Sequence, residues 1–379
     1  FLIGALLLMA ALSVLIMAER FGGVGSDAFT PMGASTPGSS QEDVATRAGY
    51  ATSEVFPRTL FAVLGMMGFL TANDLITMFV GLEVLSLPLY VLTGLARRRR
   101  LLSQEAALKY FLLGAFSSAF FLFGAALLYG FAGSSDLRVI AAAISTTSSD
   151  FDGLLVPGVV LVLIGLLFKV GAVPFHSWTP DVYQGAPTPI TGFMAACTKL
   201  AAFGVILRVT YVGVSASRWD WSDGLWAIAA ITMVVGAVLS VTQTDVKRLL
   251  AYSSIAHAGF ILVGVLAFSQ AAIGGVMFYL VAYGFATVAA FGIIAMVRQG
   301  GSEASHLSQW AGLGRRHPVV AGAFSFLLLA FAGIPLTSGF TAKFAAFAPA
   351  VEAGTGGVVL VVIAVLASAV TAFVYVRLI

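Results

Sequence analysis

The chain has 379 residues, of which 59% are hydrophobic and only 10% are charged. A soluble domain carries roughly 25% charged residues, so most of this surface must face something other than water. The formal net charge of +3 comes from basic residues that are too few and too localised to form a nucleic-acid-binding surface.

Apolar runs long enough to cross a membrane recur along the whole chain. A helix of about 20 apolar residues spans a bilayer core of about 30 Å. Runs of that kind predict eleven helices, at about 1–17, 57–73, 74–95, 104–132, 154–176, 188–214, 222–243, 248–268, 271–298, 318–348 and 357–378. They are too evenly apolar for the alternating strands of a barrel, so we predict an all-α, polytopic transmembrane bundle. Since apolar sequence reaches both ends, we expect 1–379 to be one transmembrane domain truncated at both ends.

The connections between these helices differ in composition and charge. One set holds most of the basic residues, namely Arg97, Arg98, Arg99, Arg100, Lys247, Arg248, Arg298, Arg315, Arg316 and Arg377. The other set offers mainly Arg138 and Arg218. The positive-inside rule therefore predicts that the first set is cytoplasmic. The connection 18–56 is predicted to be a flexible loop, and 136–149 a short interfacial helix.

Several charged residues lie inside apolar runs, where a charge at the bilayer centre costs at least about 2.5–3.5 kcal/mol. The candidates are Glu83, Lys109, Lys169, Lys199 and Lys343, together with His257. Lys109 is close enough to a helix start to reach the interface, and Lys247 beside Arg248 is interpreted first as an interfacial anchor. His257 alone is more typical of a hydrogen-bonded core histidine. The other four are flanked by apolar residues on both sides, which favours a function.

Lysine in such a position suits proton transfer. Burial disfavours an ammonium group, and measured buried lysines can have a pKa of about 5–6. A nearby carboxylate acts in the other direction, so a lysine whose acidic partner moves can hold or release a proton near neutral pH. We hypothesise that Glu83 is the partner of Lys169. A row of lysines and a histidine connected by water would then conduct protons.

Two apolar runs are interrupted near their middle. The interruptions extend from Gly171 to Pro174 and from Gly333 to Pro335. Proline removes a backbone donor and clashes with the preceding turn, so each helix should break there. Paired broken helices are typical of inverted-repeat transporters.

The spacing of the candidate residues also suggests an internal repeat. Lys343 follows Lys169 by 174 residues, and His257 follows Glu83 by the same number. We therefore predict one inverted repeat of five helices over 55–214 and a second over 220–378.

The run FKVGAVPFHSWTPDVYQGAPTP resembles the signature of the proton-translocating subunits shared by respiratory complex I and the multi-subunit cation/proton antiporters. The runs TQTDVKRLLAYSSIAHAGF and FAGIPLTSGFTAKF continue the resemblance, which covers the chain from about residue 51 onward. The runs GLEVLSLPLY and SQEAALKYFLLGAF most resemble the subunit N branch.

This resemblance implies roles at matching positions. Glu83 would tune the first channel lysine, Lys169, and Lys199 with His257 would form the connecting part of a hydrophilic axis. Lys343 would be the terminal lysine on the second broken helix. Lys109 and Lys247 match family positions with weaker functional claims.

Cofactors are expected elsewhere. Cys197 is the only cysteine, so an internal disulfide is excluded and a cysteine-ligated metal or iron–sulfur site is unsupported. The resemblance implies that NADH, FMN, iron–sulfur clusters and quinone belong to partner subunits. Those partners would be other complex I membrane subunits in a bacterial cell membrane.

Two alternatives stay open. One is a sodium/proton antiporter subunit of the same superfamily, and the other is a structural membrane scaffold. A larger solute is less expected because no polar cluster suits it.

Overall fold

The computed structural model describes residues 1–18, 28–30, 36, 39–48, 54–97, 99–146, 152–299 and 302–379. Its first helices are α1 (Leu2–Ala18), α2 (Ser40–Arg47), α3 (Val55–Thr71), α4 (Leu75–Thr93), α5 (Arg100–Ala132), α6 (Leu137–Thr146), α7 (Asp152–Val170) and α8 (Trp178–Gly185). The next are α9 (Thr188–Gly213), α10 (Arg218–Val241), α11 (Val246–Leu266) and α12 (Gln270–Met296). A two-stranded antiparallel hairpin, β1 (Arg298–Gln299) and β2 (Ser302–Glu303), and a 3-10 turn (Leu307–Trp310) follow α12. The chain continues with α13 (Leu313–Arg316), α14 (Pro318–Ala332), α15 (Ser338–Glu352) and α16 (Thr355–Leu378).

The fold is an all-α membrane bundle, which confirms the predicted class. Within the described ranges, eight helices are at least 18 residues long and apolar enough to cross a membrane. Shorter apolar helices include Leu2–Ala18, Val55–Thr71 and Pro318–Ala332. Large apolar side chains such as Phe123 and Val362 point outward and are more than half exposed, as lipid-facing side chains are.

Both predicted helix breaks are present in the structure. The predicted helix 154–176 ends early, because α7 stops at Val170 and α8 begins only at Trp178. The predicted helix 318–348 is divided between α14 and α15. Gly171 and Gly333 directly follow the ends of α7 and α14, with φ of 75° and 80°, a region that glycine enters without steric cost.

Two of the predicted connections between membrane helices contain short helices in the structure. The connection 18–56 contains the short helix α2, although most of its other residues lie outside the described ranges. The predicted interfacial helix 136–149 corresponds to α6, and its last three residues lie outside those ranges.

Glycine allows neighbouring helices to approach closely. A Cβ on Gly65 of α3 would overlap the backbone of Leu85 in α4, and a Cβ on Gly236 of α10 would overlap the backbone of Ala256 in α11. Small residues at helix crossings are the usual device for packing helices in lipid, where backbones come together by van der Waals contact. The helices in the pairs α3–α4 and α10–α11 are therefore tightly packed against each other.

The helix directions define two ends of the bundle. Arg99 lies at one end, where it forms an ion pair with Asp245 and a hydrogen bond with Ser305; we call this end the arginine face. Arg377 donates to the Val241 carbonyl at the same end. Arg98 lies outside the described residues. The other end, the opposite face, holds Arg138 and Arg218. Arg208 also lies there, but because it is inside a helix it is not part of a connection.

Candidate functional site

Lys169 is buried in the last turn of α7, directly before the first helix break. Its Nζ donates to the Ser86 Oγ at 2.7 Å, and Ser86 donates in turn to the Leu82 carbonyl. The rings of Tyr110 and Tyr90 lie 5.4 and 6.0 Å from the same Nζ. The ammonium is therefore held by one hydroxyl and faced by two aromatic rings.

Glu83 lies three residues before Ser86 on α4, close to Lys169 but not paired with it. Its Oε1 is buried and has no hydrogen-bond partner among the described residues. The carboxylate acts on Lys169 electrostatically, while Ser86 makes the direct contact. Two of the predicted residues are thus brought together without forming an ion pair.

Other buried polar atoms near the first break also have no partner in the described chain. They are the Tyr110 Oη, the His176 Nδ1 and the Thr179 Oγ1. Trp178 caps this end of α7 by donating from Nε1 to the Phe168 carbonyl at 2.9 Å. Buried polar atoms in proteins are normally satisfied by protein or by water, so this region has a strong capacity to bind water.

Lys199 is buried in α9, one residue after a π-helical segment, Met194–Thr198. Its Nζ donates to both the carbonyl and the Oγ of Ser254 on α11, each at 2.5 Å. The ring of Tyr283 lies 5.5 Å from the ammonium. Since π segments are frequent at functional sites, this local irregularity fits a specialised lysine.

Both ring nitrogens of His257 form hydrogen bonds with tyrosine hydroxyls. Nδ1 is 2.9 Å from the Tyr279 Oη, and Nε2 is 3.3 Å from the Tyr375 Oη, which also bonds Ser253. A neutral imidazole donates from one nitrogen and accepts at the other, so one tyrosine donates while the other accepts. A cavity of about 10 Å³ adjoins the ring, close to the smallest volume that holds a water molecule.

Lys343 is buried in α15 and caps the broken end of α14. Its Nζ donates to the carbonyls of Phe331 and Ala332 at 3.1 and 2.9 Å, and to the Ser368 Oγ at 2.7 Å. The negative end of a helix dipole stabilises a cation at this position. The second break therefore supplies the oxygen atoms that hold the lysine.

The structure brings the predicted residues into two connected groups. His257 lies between Lys199 and Lys343: the Tyr283 ring contacts both His257 and Lys199, and the Phe260 ring contacts both His257 and Lys343. These three form the central group.

Lys169 forms the other group with Ser86 and the nearby Glu83. From there, stacked and edge contacts run through Tyr110, Trp178 and Tyr183 toward the bundle centre. An aromatic row therefore extends from the first group toward the second.

Lys109 and Lys247 occupy different environments. The Lys109 side chain is 42% exposed and forms ion pairs with Glu105 and Asp181 at 2.7 and 2.8 Å. Lys247 is buried and donates to the Ala186 carbonyl at 2.7 Å, so its interpretation as an interfacial anchor was wrong. A position at a helix start does not reveal that neighbouring segments cover it.

Sequence reasoning missed the hydroxyl and carboxylate partners of these residues. Three serines, Ser86, Ser254 and Ser368, accept from the buried lysines. Asp181 joins Lys109 to Arg248, whose Nη1 lies 2.5 Å from its Oδ1. A serine in a helix carries no distinctive signal, whereas Asp181 stands in the FKVGAVPFHSWTPDVYQGAPTP run and could have been singled out.

Known proteins of one membrane-protein family are similar to this chain along nearly its whole length. The family described as "NADH:quinone oxidoreductase/Mrp antiporter, TM" matches residues 72–371. NADH-quinone oxidoreductase subunit N of Beutenbergia cavernae is 62% identical over 374 residues, which cover 96% of this chain and 70% of that protein.

Solved membrane complexes contain similar chains. Respiratory complex I from Thermus thermophilus with bound aureothin contains a chain 37% identical, with a TM-score of 0.76, covering 100% of this chain and 82% of that one. The Mrp complex from Dietzia sp. DQ12-45-1b contains one 25% identical, with a TM-score of 0.77, covering 100% and 73%. The matched range 72–371 includes every candidate residue from Glu83 to Lys343.

Proposed function

The chain belongs to the NADH:quinone oxidoreductase/Mrp antiporter transmembrane family, and on that premise we propose that it moves protons through the membrane as subunit N of a NADH–quinone oxidoreductase. The observation that carries this proposal is the row of buried basic residues in the bundle interior. Lys169, Lys199, His257 and Lys343 are each buried and hydrogen-bonded to oxygen atoms.

The residues have distinct roles in this proposal. Lys169 receives and releases a proton as the influence of Glu83 changes. Lys199 and His257 pass protons through the centre, and Lys343 is the last basic group before the exit. Because a lysine that leaves one acceptor must find another, the serine hydroxyls and broken-helix carbonyls limit the positions that each ammonium can take.

Water completes the path. The unpartnered atoms Glu83 Oε1, Tyr110 Oη and Thr179 Oγ1 surround the first break, and the small cavity adjoins His257. A water at either place could accept a proton from one group and donate one to the next. The Ser253–Tyr375–His257–Tyr279 chain of hydrogen bonds offers a similar route through side chains.

The chemistry that drives this movement belongs to partners. NADH, FMN, iron–sulfur clusters and quinone would be bound by other subunits, and this chain would contribute no redox centre. The arginine face would be cytoplasmic in a bacterial cell membrane, as the positive-inside rule requires.

The test is NADH-driven proton pumping in inverted membrane vesicles, comparing wild type with Lys169→Ala at matched assembly. We expect pumping and quinone reduction to fall by about tenfold or more, since a proton-transfer group is removed. NADH oxidation by an artificial acceptor should persist. Arg138→Ala, which removes a cation from the opposite face, is the control and should leave all three activities unchanged.

Unchanged NADH-driven pumping in Lys169→Ala would overturn the assignment. A sodium/proton antiporter subunit would instead support sodium-driven proton exchange in the same vesicles, and the Mrp similarity makes that the first alternative. A structural scaffold predicts that Lys169→Met is harmless or even stabilising, because replacing a buried charge by an apolar group often is.

A further inference from the structure

A pocket of about 160 Å³ opens at the opposite face, away from the proposed proton path. It lies where α10 and α16 begin and where α11 and α15 end. Trp219 and Trp226 contribute indole rings to its lining, and Trp219 is 83% exposed. Tryptophan is enriched where a bilayer meets water, so these two rings are typical of the depth of lipid headgroups.

Arg218 is the basic residue of this pocket, and aromatic rings hold it in place. Its guanidinium lies 4.7 Å from the centre of the Phe268 ring and 5.7 Å from that of Trp219. Phe268 has a φ of 53° and stacks on Tyr211. A bulky residue in the left-handed region is rare and is found where the surrounding structure enforces it, often at functional sites. The rings of Phe268 and Trp219 therefore position the Arg218 guanidinium, and Tyr211 supports Phe268 by stacking on it.

Asp223 lines the same pocket, but it does not pair with Arg218. Among the described residues, neither side chain forms an ion pair or a hydrogen bond. Because the Arg218 guanidinium and the Asp223 carboxylate line one pocket without pairing, they are complementary to a ligand that carries both a negative and a positive charge.

We propose that this pocket binds the headgroup of a phospholipid with a primary ammonium, such as phosphatidylethanolamine. The phosphate would accept hydrogen bonds from Arg218, and the ammonium would donate to Asp223. Further along α10 from the pocket, Val234 is exposed and apolar, which suits an acyl chain rather than a free phosphate. An anionic lipid without the ammonium would place its charge beside Asp223. This proposal does not depend on proton translocation.

Native mass spectrometry of the chain in its intact membrane assembly would test the proposal. The assembly would be exchanged into equal amounts of phosphatidylethanolamine, phosphatidylglycerol and phosphatidylcholine. The variants are Arg218→Gln and Asp223→Asn. Their matched controls are Arg138→Gln, on the same face, and Asp220→Asn, which does not line the pocket.

We expect wild type to retain phosphatidylethanolamine preferentially, because the quaternary ammonium of phosphatidylcholine has no N–H to donate. Arg218→Gln should lower its retention by about tenfold, and Asp223→Asn should shift the preference toward phosphatidylglycerol. Both controls should match wild type. Equal retention in wild type and both pocket variants, or a wild-type preference for phosphatidylglycerol, would overturn the proposal. If Arg218→Gln assembles poorly, the exposed Asp223→Asn alone decides through the predicted change of preference.

Discussion

Each buried lysine of the proposed path donates to a serine hydroxyl: Lys169 to Ser86, Lys199 to Ser254 and Lys343 to Ser368. A hydroxyl both accepts and donates, so it can hold an ammonium and remain bonded when the lysine is neutral. It also rotates without moving the backbone. In the proposed path, the serines would position the lysines for proton exchange.

Ser86→Ala should weaken proton transfer at Lys169. The change removes the hydroxyl that holds the ammonium, and a hydrogen bond to a charged group contributes about 1.5–3 kcal/mol. We expect NADH-driven pumping in inverted vesicles to fall by about tenfold. Ser86→Thr, which keeps the hydroxyl, should recover most of the activity.

Ser13→Ala is the matched control for this serine. Ser13 is buried in α1 and donates to the Met9 carbonyl, as Ser86 donates to the Leu82 carbonyl, but it contacts no lysine. Its loss should leave pumping unchanged. Equal pumping in Ser86→Ala and Ser13→Ala would remove the serine from the path.

Tyr279→Phe should slow transfer through His257. Without the hydroxyl, Nδ1 loses its 2.9 Å partner while the ring packing remains. We expect pumping to fall by about tenfold with little change in assembly. Tyr129→Phe, at an exposed position of α5, is the control. Normal pumping in Tyr279→Phe would remove the Tyr279 hydroxyl from the proposed path.

The sequence predicted the buried basic residues but not their partners. Lysine inside an apolar run is conspicuous because its insertion is costly. Serine is not, because serines in helices commonly bond to their own backbone, as Ser86 does. Whether Glu83 contacts Lys169 depends on side-chain geometry, and in the structure Ser86 takes that contact.

At the scale of the element, the second broken helix determines where Lys343 binds, because the carbonyls at the end of α14 accept from its Nζ. Glycine and proline marked both breaks in the sequence, because each residue type has a known backbone effect. The π segment before Lys199, Met194–Thr198, has no comparable signature and was not foreseen. The exact capping of α14 by Lys343 also required the fold, because the lysine lies on the following half-helix.

Gly333→Ala should impair both the second break and Lys343. The added Cβ would lie 2.9 Å from the Lys343 Cδ and 3.2 Å from its Nζ, and φ would stay at 80°. We expect a loss of stability of about 1 kcal/mol from the backbone and a clear loss of NADH-driven pumping. Thermal unfolding of the purified assembly and vesicle pumping would measure the two effects.

Gly312→Ala separates these two effects. Gly312 has a φ of 77°, but a Cβ there would meet nothing within 4 Å. It should therefore lose similar stability and keep full pumping. If both variants pump equally, displacement of Lys343 has no effect on proton movement.

At the scale of the whole molecule, the helix pairs fit an inverted duplication that remains a prediction. The pair α3–α4 carries Glu83 and the pair α10–α11 carries His257, and the two pairs pack alike. Asp74 caps the start of α4 at the opposite face, whereas Asp245 caps the start of α11 at the arginine face. The two predicted repeats, 55–214 and 220–378, would then be related by a reversal of direction.

Asp181 connects these two halves at the arginine face. It lies on α8 and binds Lys109 of α5 in the first half and Arg248 of α11 in the second. Partial burial acts to raise the pKa of Asp181, but the hydrogen bonds from Lys109 and Arg248 outweigh it and lower the pKa. A carboxyl with a lowered pKa contributes stability at neutral pH and loses it only on acidification below about pH 4. The link is therefore fully formed under physiological conditions.

Asp181→Asn should loosen the two halves at neutral pH. The three side chains are partly exposed, so we expect a modest loss of stability, about 1 kcal/mol, measured as thermal unfolding of the purified assembly at low ionic strength. The difference from wild type should shrink at about 1 M salt, because partly exposed charges are screened. Glu105→Gln is the control, since Glu105 pairs with Lys109 within one helix and connects nothing across the bundle. If Asp181→Asn and Glu105→Gln are equally stable at low salt, the connection between the halves is carried by apolar packing alone.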